Sequence, residues 1–314
     1  MLVACRRKRA FQVTALLLLL LALAAHDELV RCLEDSVLKA AIAVNAGRPL
    51  PPTSDFGESH LLGHRVEGPL PWQGYPRVEA LRQKYGASVL MAAFRTTLPD
   101  PILSEEYNIG LAADYLAGSV VGPGEVFSLN RRLGPRTTAR GYREGPMYSG
   151  GNIVPATGGG VCKVATTLYN VVILSDLQVV ERHPHGMQVP YVPPGQDATI
   201  SYGSLDFRFR NSTLTPVIIW SDTVSTTLFM AIYGGVLPPE IAWLHQVLSR
   251  QPPREVLRHN GSLPRGAKRV VMKGYDGLAV RSWLAIEHRD GRFERRDLGV
   301  DWYRPLAQVS EVNP

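Results

Sequence analysis

The sequence predicts an α+β fold: an antiparallel sheet with helices on one face, plus a small β-rich C-terminal module. Two observations point to the sheet and its helices. Apolar residues recur at helical spacing over residues 104–116 and 162–175, and from residue 177 to 233 they alternate with period two between Pro, Gly, Asn and Asp breakers. A third adds the module: past a proline-rich joint, the tail again carries short strand-like runs. The chain has 314 residues, 45% of them apolar and 20% charged, which reads as globular rather than disordered.

The order begins with a targeting element at residues 1–25. Arg6, Arg7, Lys8 and Arg9 precede an apolar run of thirteen residues from Val13. That is the length of a signal-peptide core and short of the roughly 20 residues that span a bilayer. Ala22-Leu23-Ala24 offers a small-x-small cleavage site; an uncleaved anchor is the alternative. The basic flank keeps the N-terminus in the cytoplasm and sends the rest outside. The protein is therefore expected to be extracytoplasmic, secreted or held to the membrane through this segment. The formal charge is +6, of which those four residues carry four. The remainder is too small to argue for nucleic acid.

Residues 26–87 read as a juxtamembrane helix (26–45), a Pro/Gly-rich linker (46–75) and a short helix (76–85). The main domain is placed at 88–235, opening on an apolar strand at 88–94. In the helix at 104–116, Ser104 can cap, Glu105 and Glu106 suit the positive end, and Tyr107, Leu111 and Tyr115 follow at intervals of four. A strand at 125–129 leads into a Gly- and Arg-rich stretch, 130–160, read as loop. Its Arg131, Arg132, Arg136, Arg140 and Arg143 form either a solvated basic surface or a groove for an acidic polymer or peptide carboxylates. The helix at 162–175 precedes strand candidates at 177–181, 188–192, 198–202, 206–210, 217–221 and 226–233. In the last part, 236–314, residues 238–253 read as a short helix and proline-rich joint. Strands follow at 269–272, 278–286 and 292–298, with Asp290-Gly291 as a hairpin turn.

The chemistry concentrates around Gly158-Gly159-Gly160-Val161-Cys162. A thiol becomes a nucleophile when it loses its proton, and the positive end of a helix and a neighbouring imidazole both favour that. Cys162 sits where a helix should begin, behind glycines that allow close backbone approach, and amides at that turn can hold an oxyanion. His183 and His185, two apart in an extended run, share a face; either can be the base, with Asp197 or Asp206 orienting it. Gly158, Gly159, Gly160, Lys163, Thr166 and Arg140 are the candidates to line a substrate. The competing readings keep Cys162 as a small buried hydrophobe, pair it with Cys32 in a disulfide, or use Cys162, His183 and His185 with a carboxylate to bind zinc. The spacing matches no known zinc pattern, so no cofactor and no metal are expected.

These residues, with Tyr107-Asn108-Ile109-Gly110-Leu111-Ala112-Ala113, Gly122-Pro123-Gly124-Glu125-Val126-Phe127-Ser128, Arg140-Gly141-Tyr142 and Asp206-Phe207-Arg208-Phe209-Arg210-Asn211, resemble the VanW family of bacterial cell-envelope proteins from about Met91 to Ile232. That family takes its name from a gene carried in some vancomycin-resistance clusters. In many relatives glutamine follows the cysteine, where this chain has Lys163. The tail resembles a degenerate G5-type module, a type that often follows VanW domains in proteins adhering to wall polymers; a plain β-hairpin appendage is the alternative. The resemblance implies a protein that acts on or binds peptidoglycan or its precursors. As an enzyme it would be a Cys/His thiol amidase or transpeptidase; otherwise it is a wall-binding or scaffold protein in which Cys162 is structural.

Overall fold

A computed structural model describes Ser36 and residues 63–99, 103–149 and 152–314. The leader, the helix expected at 26–45 and most of the linker lie outside the described residues, apart from Ser36. Among the described residues, no helix is long and apolar enough to cross a membrane.

The mixed α+β class is the one observed. Its centre is a five-stranded antiparallel sheet in the order β1-β2-β10-β9-β3. The strands are β1 (Gly63–Arg65), β2 (Val89–Thr97), β3 (Ser119–Val121), β9 (Val217–Val224) and β10 (Thr227–Gly234). Alternation sorts their side chains. Val217, Ile219, Leu228, Met230 and Ile232 point to one face, where α2 (Leu103–Leu116) and α4 (Cys162–Leu174) pack. Ile218, Trp220, Ala231 and Tyr233 point to the other.

That second face is covered as well. The breaker-rich stretch read as linker carries β1 from residue 63, and it then lays Trp72 and α1 (Pro76–Tyr85) over the sheet. Trp72 is 1% exposed, and its Nε1 donates to the Tyr233 hydroxyl at 2.8 Å. Prolines and glycines here shape a fitted cover rather than a free tether.

Helix α4 is enclosed on all sides: every residue from Lys163 to Leu174 is buried. It lies between the sheet and the segment running from 187 to 209, and the C-terminal module closes over its end. This explains a β-branched helix with no solvent face. Packing overrides the weak propensity of Val and Thr.

Residues 130–160 are more ordered than the loop expected. They form α3 (Leu129–Leu133), a 3₁₀ turn (Thr138–Arg140) and a hairpin of β5 (Glu144–Ser149) and β6 (Asn152–Thr157). Two strand candidates fail, at 188–192 and 198–202; a single bridge, Ser201 to Leu205, is all the pairing they make. Their alternation reflects insertion against α4 rather than a ladder. The remaining period-two segments pair as β4 (Val126–Ser128), β8 (Arg208–Arg210) and β7 (Gln178–Glu181), in that sheet order.

The joint at 238–253 is not helical. Residues 240–251 form strand β11 (Glu240–Gln251), paired along its length with β14 (Gly277–Glu287), which in turn pairs β15 (Phe293–Tyr303). Ile241, Leu244 and Leu248 mimic a helical spacing, but burying Ile241 and Trp243 with Leu284 and Ile286 in the main core decides for the strand. The hairpin turn falls at Asp290-Gly291 as expected, Gly291 taking φ 82°. A second sheet, β12 (Glu255–His259), β16 (Gln308–Val312) and β13 (Lys268–Met272), completes the module.

Trp72→Ala removes a large buried ring and a hydrogen bond. The variant should lose about 3–5 kcal/mol in a urea titration; a free linker would lose nothing measurable.

Candidate functional site

One face of α4 builds the site. Cys162, Thr166 and Asn170 recur every fourth residue, so they line up along the helix. Each grips the chain running antiparallel beside it. Asn170 Nδ2 donates to the Gln196 carbonyl at 2.8 Å. Thr166 Oγ1 donates to the Ala198 carbonyl and accepts from the Ala198 amide, both at 3.0 Å. The Cys162 sulfur lies 3.2 Å from Thr199 Oγ1 and 3.5 Å from the Ile200 carbonyl. Asp197 is thereby fixed within this ladder.

Asp197 is fully buried and surrounded by donors. Its Oδ2 accepts from the His185 amide at 2.6 Å and lies 2.7 Å from His185 Nδ1. Its Oδ1 accepts from the Tyr303 hydroxyl at 2.5 Å and from Arg182 Nη2 at 3.2 Å. With Nδ1 committed to Asp197, the rest of the ring is left for the sulfur, and His185 lies close enough to Cys162 for ring and thiol to shift each other's ionisation. Cys162, His185 and Asp197 are thus brought into one cluster, with the ring held by the carboxylate.

The charges follow. Burial raises the Asp197 carboxyl, but the His185 hydrogen bond and charge, with Arg182, bring it down to about 2. Burial lowers His185; Asp197 and the sulfur outweigh it and raise the ring to about 9. Burial raises the Cys162 thiol, and the neighbouring His185 ring with its charge, then the Ile200 backbone and the Thr199 hydroxyl, pull it down to about 7. The two shifts support each other: the imidazolium lowers the thiol and the thiolate raises the ring, so the pair is biased toward thiolate and imidazolium. Cys162 is half-buried, its thiol is free, and it opens the helix, so aligned peptide dipoles favour the anion further. In the turn, the amides of Gly159, Val161, Lys163 and Val164 bond back into the chain. Those of Gly160 and Cys162 remain as candidate oxyanion donors.

The structure separates the other sequence candidates. His183 turns to Glu181, Nε2 to Oε1 at 3.0 Å, and is 39% exposed. Neither histidine lies in a strand, so the shared face expected from a two-residue spacing does not arise. Asp206 caps α3, accepting from Ser128 Oγ at 2.5 Å and from the Asn130 amide at 2.8 Å. Lys163 is 1% exposed and points away from the sulfur, its Nζ donating to the Thr226 carbonyl at 3.1 Å. Burial lowers its pKa to about 7 against the pull of Glu105 and Glu106. Thr166 holds backbone, and Arg140 donates to the Leu133 carbonyl at 2.9 Å and lies over Tyr115. Gly159 is required because a Cβ would overlap the Gly145 backbone; Gly158 abuts Arg136, and Gly160 abuts Glu105. Among the described residues no three His, Cys, Asp or Glu side chains converge as a metal site.

Sequence reasoning missed Arg182, Thr199 and Tyr303. Arg182 bridges Asp197 to Asp301, with Nη1 at 2.7 and 2.6 Å from the two Asp301 oxygens. Tyr303 also accepts from the Gly195 amide at 2.6 Å. Both Asp301 and Tyr303 come from β15. Trp243 packs edge-on to Tyr169, and His245 takes the Gln196 side chain at 2.9 Å. The C-terminal module therefore backs the site directly. Arg182, beside His183, and Thr199, two residues after Asp197, lay within the stretch that drew attention; Tyr303 lay far outside it.

Comparison with known proteins adds the following. Residues 104–233 match the model of the family described as VanW like protein. The Bacillus subtilis (strain 168) protein "Uncharacterized protein YoaR" is 36% identical over 161 residues, 51% of this chain and 53% of its own length. The Enterococcus faecalis (strain ATCC 700802 / V583) protein "Vancomycin B-type resistance protein VanW" is 32% identical over 119 residues, 36% of this chain and 43% of its own. The chain thus spans about half the length of the curated relatives it matches. The crystal structure of HP0197-G5 covers 23% of this chain and 97% of its own at 19% identity and TM-score 0.14. The IgA1 protease G5 domain structure covers 24% and 92% at 18% identity and TM-score 0.16.

Alkylation of Cys162 by iodoacetamide, read on its own peptide by mass, should be half-maximal near pH 7 in wild type. In His185→Gln the midpoint should rise past the ordinary thiol value of 9.0, because burial is then unopposed by the ring. His183→Gln should leave the profile in place.

Proposed function

We propose that this VanW-like protein is an extracytoplasmic thiol-dependent acyl-transfer enzyme of the bacterial cell envelope, an amidase or transpeptidase acting on peptidoglycan or its precursors. The observation that carries the reading is the His185–Asp197 pair at 2.7 Å beside Cys162, whose sulfur is half-buried at the start of α4. The basic leader and apolar run support the location, and amides of peptide stems are the natural acyl donors there.

In this mechanism the Cys162 thiolate attacks an amide carbonyl, and the carbonyl electrons move onto oxygen, facing the Gly160 and Cys162 amides. The tetrahedral intermediate collapses as the C–N bond breaks, and the His185 imidazolium gives its proton to the departing nitrogen. A thioester remains on Cys162. Water or an amine then attacks it, His185 takes the proton of the attacker, and the thiolate leaves. Asp197 holds the imidazole orientation and stabilises its cation throughout. The net reaction is hydrolysis or exchange of one amide.

Incubating the purified protein with defined muropeptides and weighing the products should reveal one cleaved or exchanged amide, together with a Cys162 acyl adduct trapped at low pH. Cys162→Ala should abolish turnover, and His185→Gln should lower it by about 10²–10⁴-fold. Turnover that survives Cys162→Ala would sink the thiol mechanism.

A further inference from the structure

We infer that Arg136, flanked by Tyr202, is the specificity subsite of this centre and selects acyl donors that carry a free carboxylate beside the scissile amide. The inference rests on the thiol acyl-transfer reading above and names its substrate class.

Arg136 stands in the wall that leads to the sulfur. A Cβ on Gly158, four residues before Cys162, would lie 2.6 Å from Arg136 Cβ, so the arginine stem is seated on the glycine loop itself. Its head is held from the other side. Nη1 donates to Asn130 Oδ1 at 2.7 Å and to the Gly134 carbonyl at 3.3 Å. Asn130 is in turn fixed by the Ser201 and Leu205 carbonyls, at 3.2 and 2.7 Å. Residues 199–202 run from the sulfur, at Thr199 and Ile200, to the Tyr202 ring, whose centroid is 6.0 Å from the guanidinium carbon. Arg136 is thus close enough to interact electrostatically with Cys162, and Tyr202, 56% exposed, forms the outer edge.

What distinguishes this guanidinium is what holds it. Arg182, at the back of the site, is matched to two aspartates. Arg136 is half-buried, yet among the described residues it makes no ion pair and is anchored through neutral oxygens on one nitrogen. Nη2 and Nε make no hydrogen bond to the described residues. A cation that is partly desolvated, held rigid and left without a direct ion pair, Asp206 acting on it only from a distance, is suited to a planar anion taken in a two-pronged grip. A carboxylate has that shape. Lys163, 1% exposed with Nζ on the Thr226 carbonyl, is ruled out of this role.

The test uses two reagents of nearly equal size, iodoacetate and iodoacetamide, on the full chain, with alkylation read on the Cys162 peptide. The ratio of their rates cancels the thiolate fraction and reports only recognition of the carboxylate. In wild type the ratio should exceed that of a free cysteine peptide, and Arg136→Gln should lower it about tenfold, the scale of one charge-assisted hydrogen bond. Arg136→Lys should fall between. The iodoacetamide rate of each variant reports whether the folded thiol is retained. As a check that needs no variant, succinate should slow iodoacetamide labelling of the wild type while succinamide should not. An unchanged ratio in Arg136→Gln with the thiol still reactive, or equal effects of succinate and succinamide, overturns the subsite and leaves the thiol mechanism standing. A wild-type Cys162 that neither reagent labels at neutral pH overturns both.

Discussion

The arrangement depends on one buried carboxylate. Asp197 has no access to water, and an anion there is tolerable only because four protein donors meet its two oxygens. Satisfying it fixes the ring of His185, and the ring in turn sets the ionisation of Cys162. The ladder from α4 is what holds Asp197 at the right height: Asn170, Thr166 and Cys162 bind successive positions of the facing chain, so helix and chain cannot slide past each other. Sheet, helix and cover serve to keep that register.

Much of this was legible in the sequence, and the reasons for the rest are physical. Periodicity located α2, α4, β9, β10 and β14 because each buries a face or a whole surface. It misassigned 240–251 because Ile241, Leu244 and Leu248 satisfy a helical spacing while the opposing strand, some forty residues on, is invisible to a local window. It failed at 188–202 because alternation can arise from side-chain clamping without a ladder partner. The breaker-rich approach to β2 read as linker, since composition does not reveal that Trp72 has a buried hydroxyl waiting for it.

The site shows the same division. Cys162, His185 and Asp197 were all named from chemistry and spacing, yet the pairs His183 or His185 and Asp197 or Asp206 stayed open. The period-two argument assumes a strand through 183–185. The chain there has left β7, so the two rings diverge, and the nearby acid Glu181 draws His183 outward. Asp206 was indistinguishable from Asp197 by residue type; its role as a helix cap depends on Ser128 and Asn130, more than seventy positions away. Tyr303 could not be found at all, lying more than a hundred residues from the carboxylate it serves.

That last distance bears on what counts as the functional unit. The matched family region ends at 233, but the donors to Asp197 do not. Tyr303 caps one oxygen and anchors the Gly195 amide, while Asp301 neutralises the far side of Arg182, whose near side faces Asp197. Without the module, Asp197 would lose the Tyr303 hydroxyl and keep an arginine that had lost half its anionic partners, and the core side that Trp243, Leu284 and Ile286 now fill would open to water. Water there would hydrate the carboxylate and compete for the imidazole that it orients. The module is therefore a wall of the site, whatever else its outer sheet engages, and a thiolate and imidazolium held in balance by burial cannot be separated from the strands that supply it.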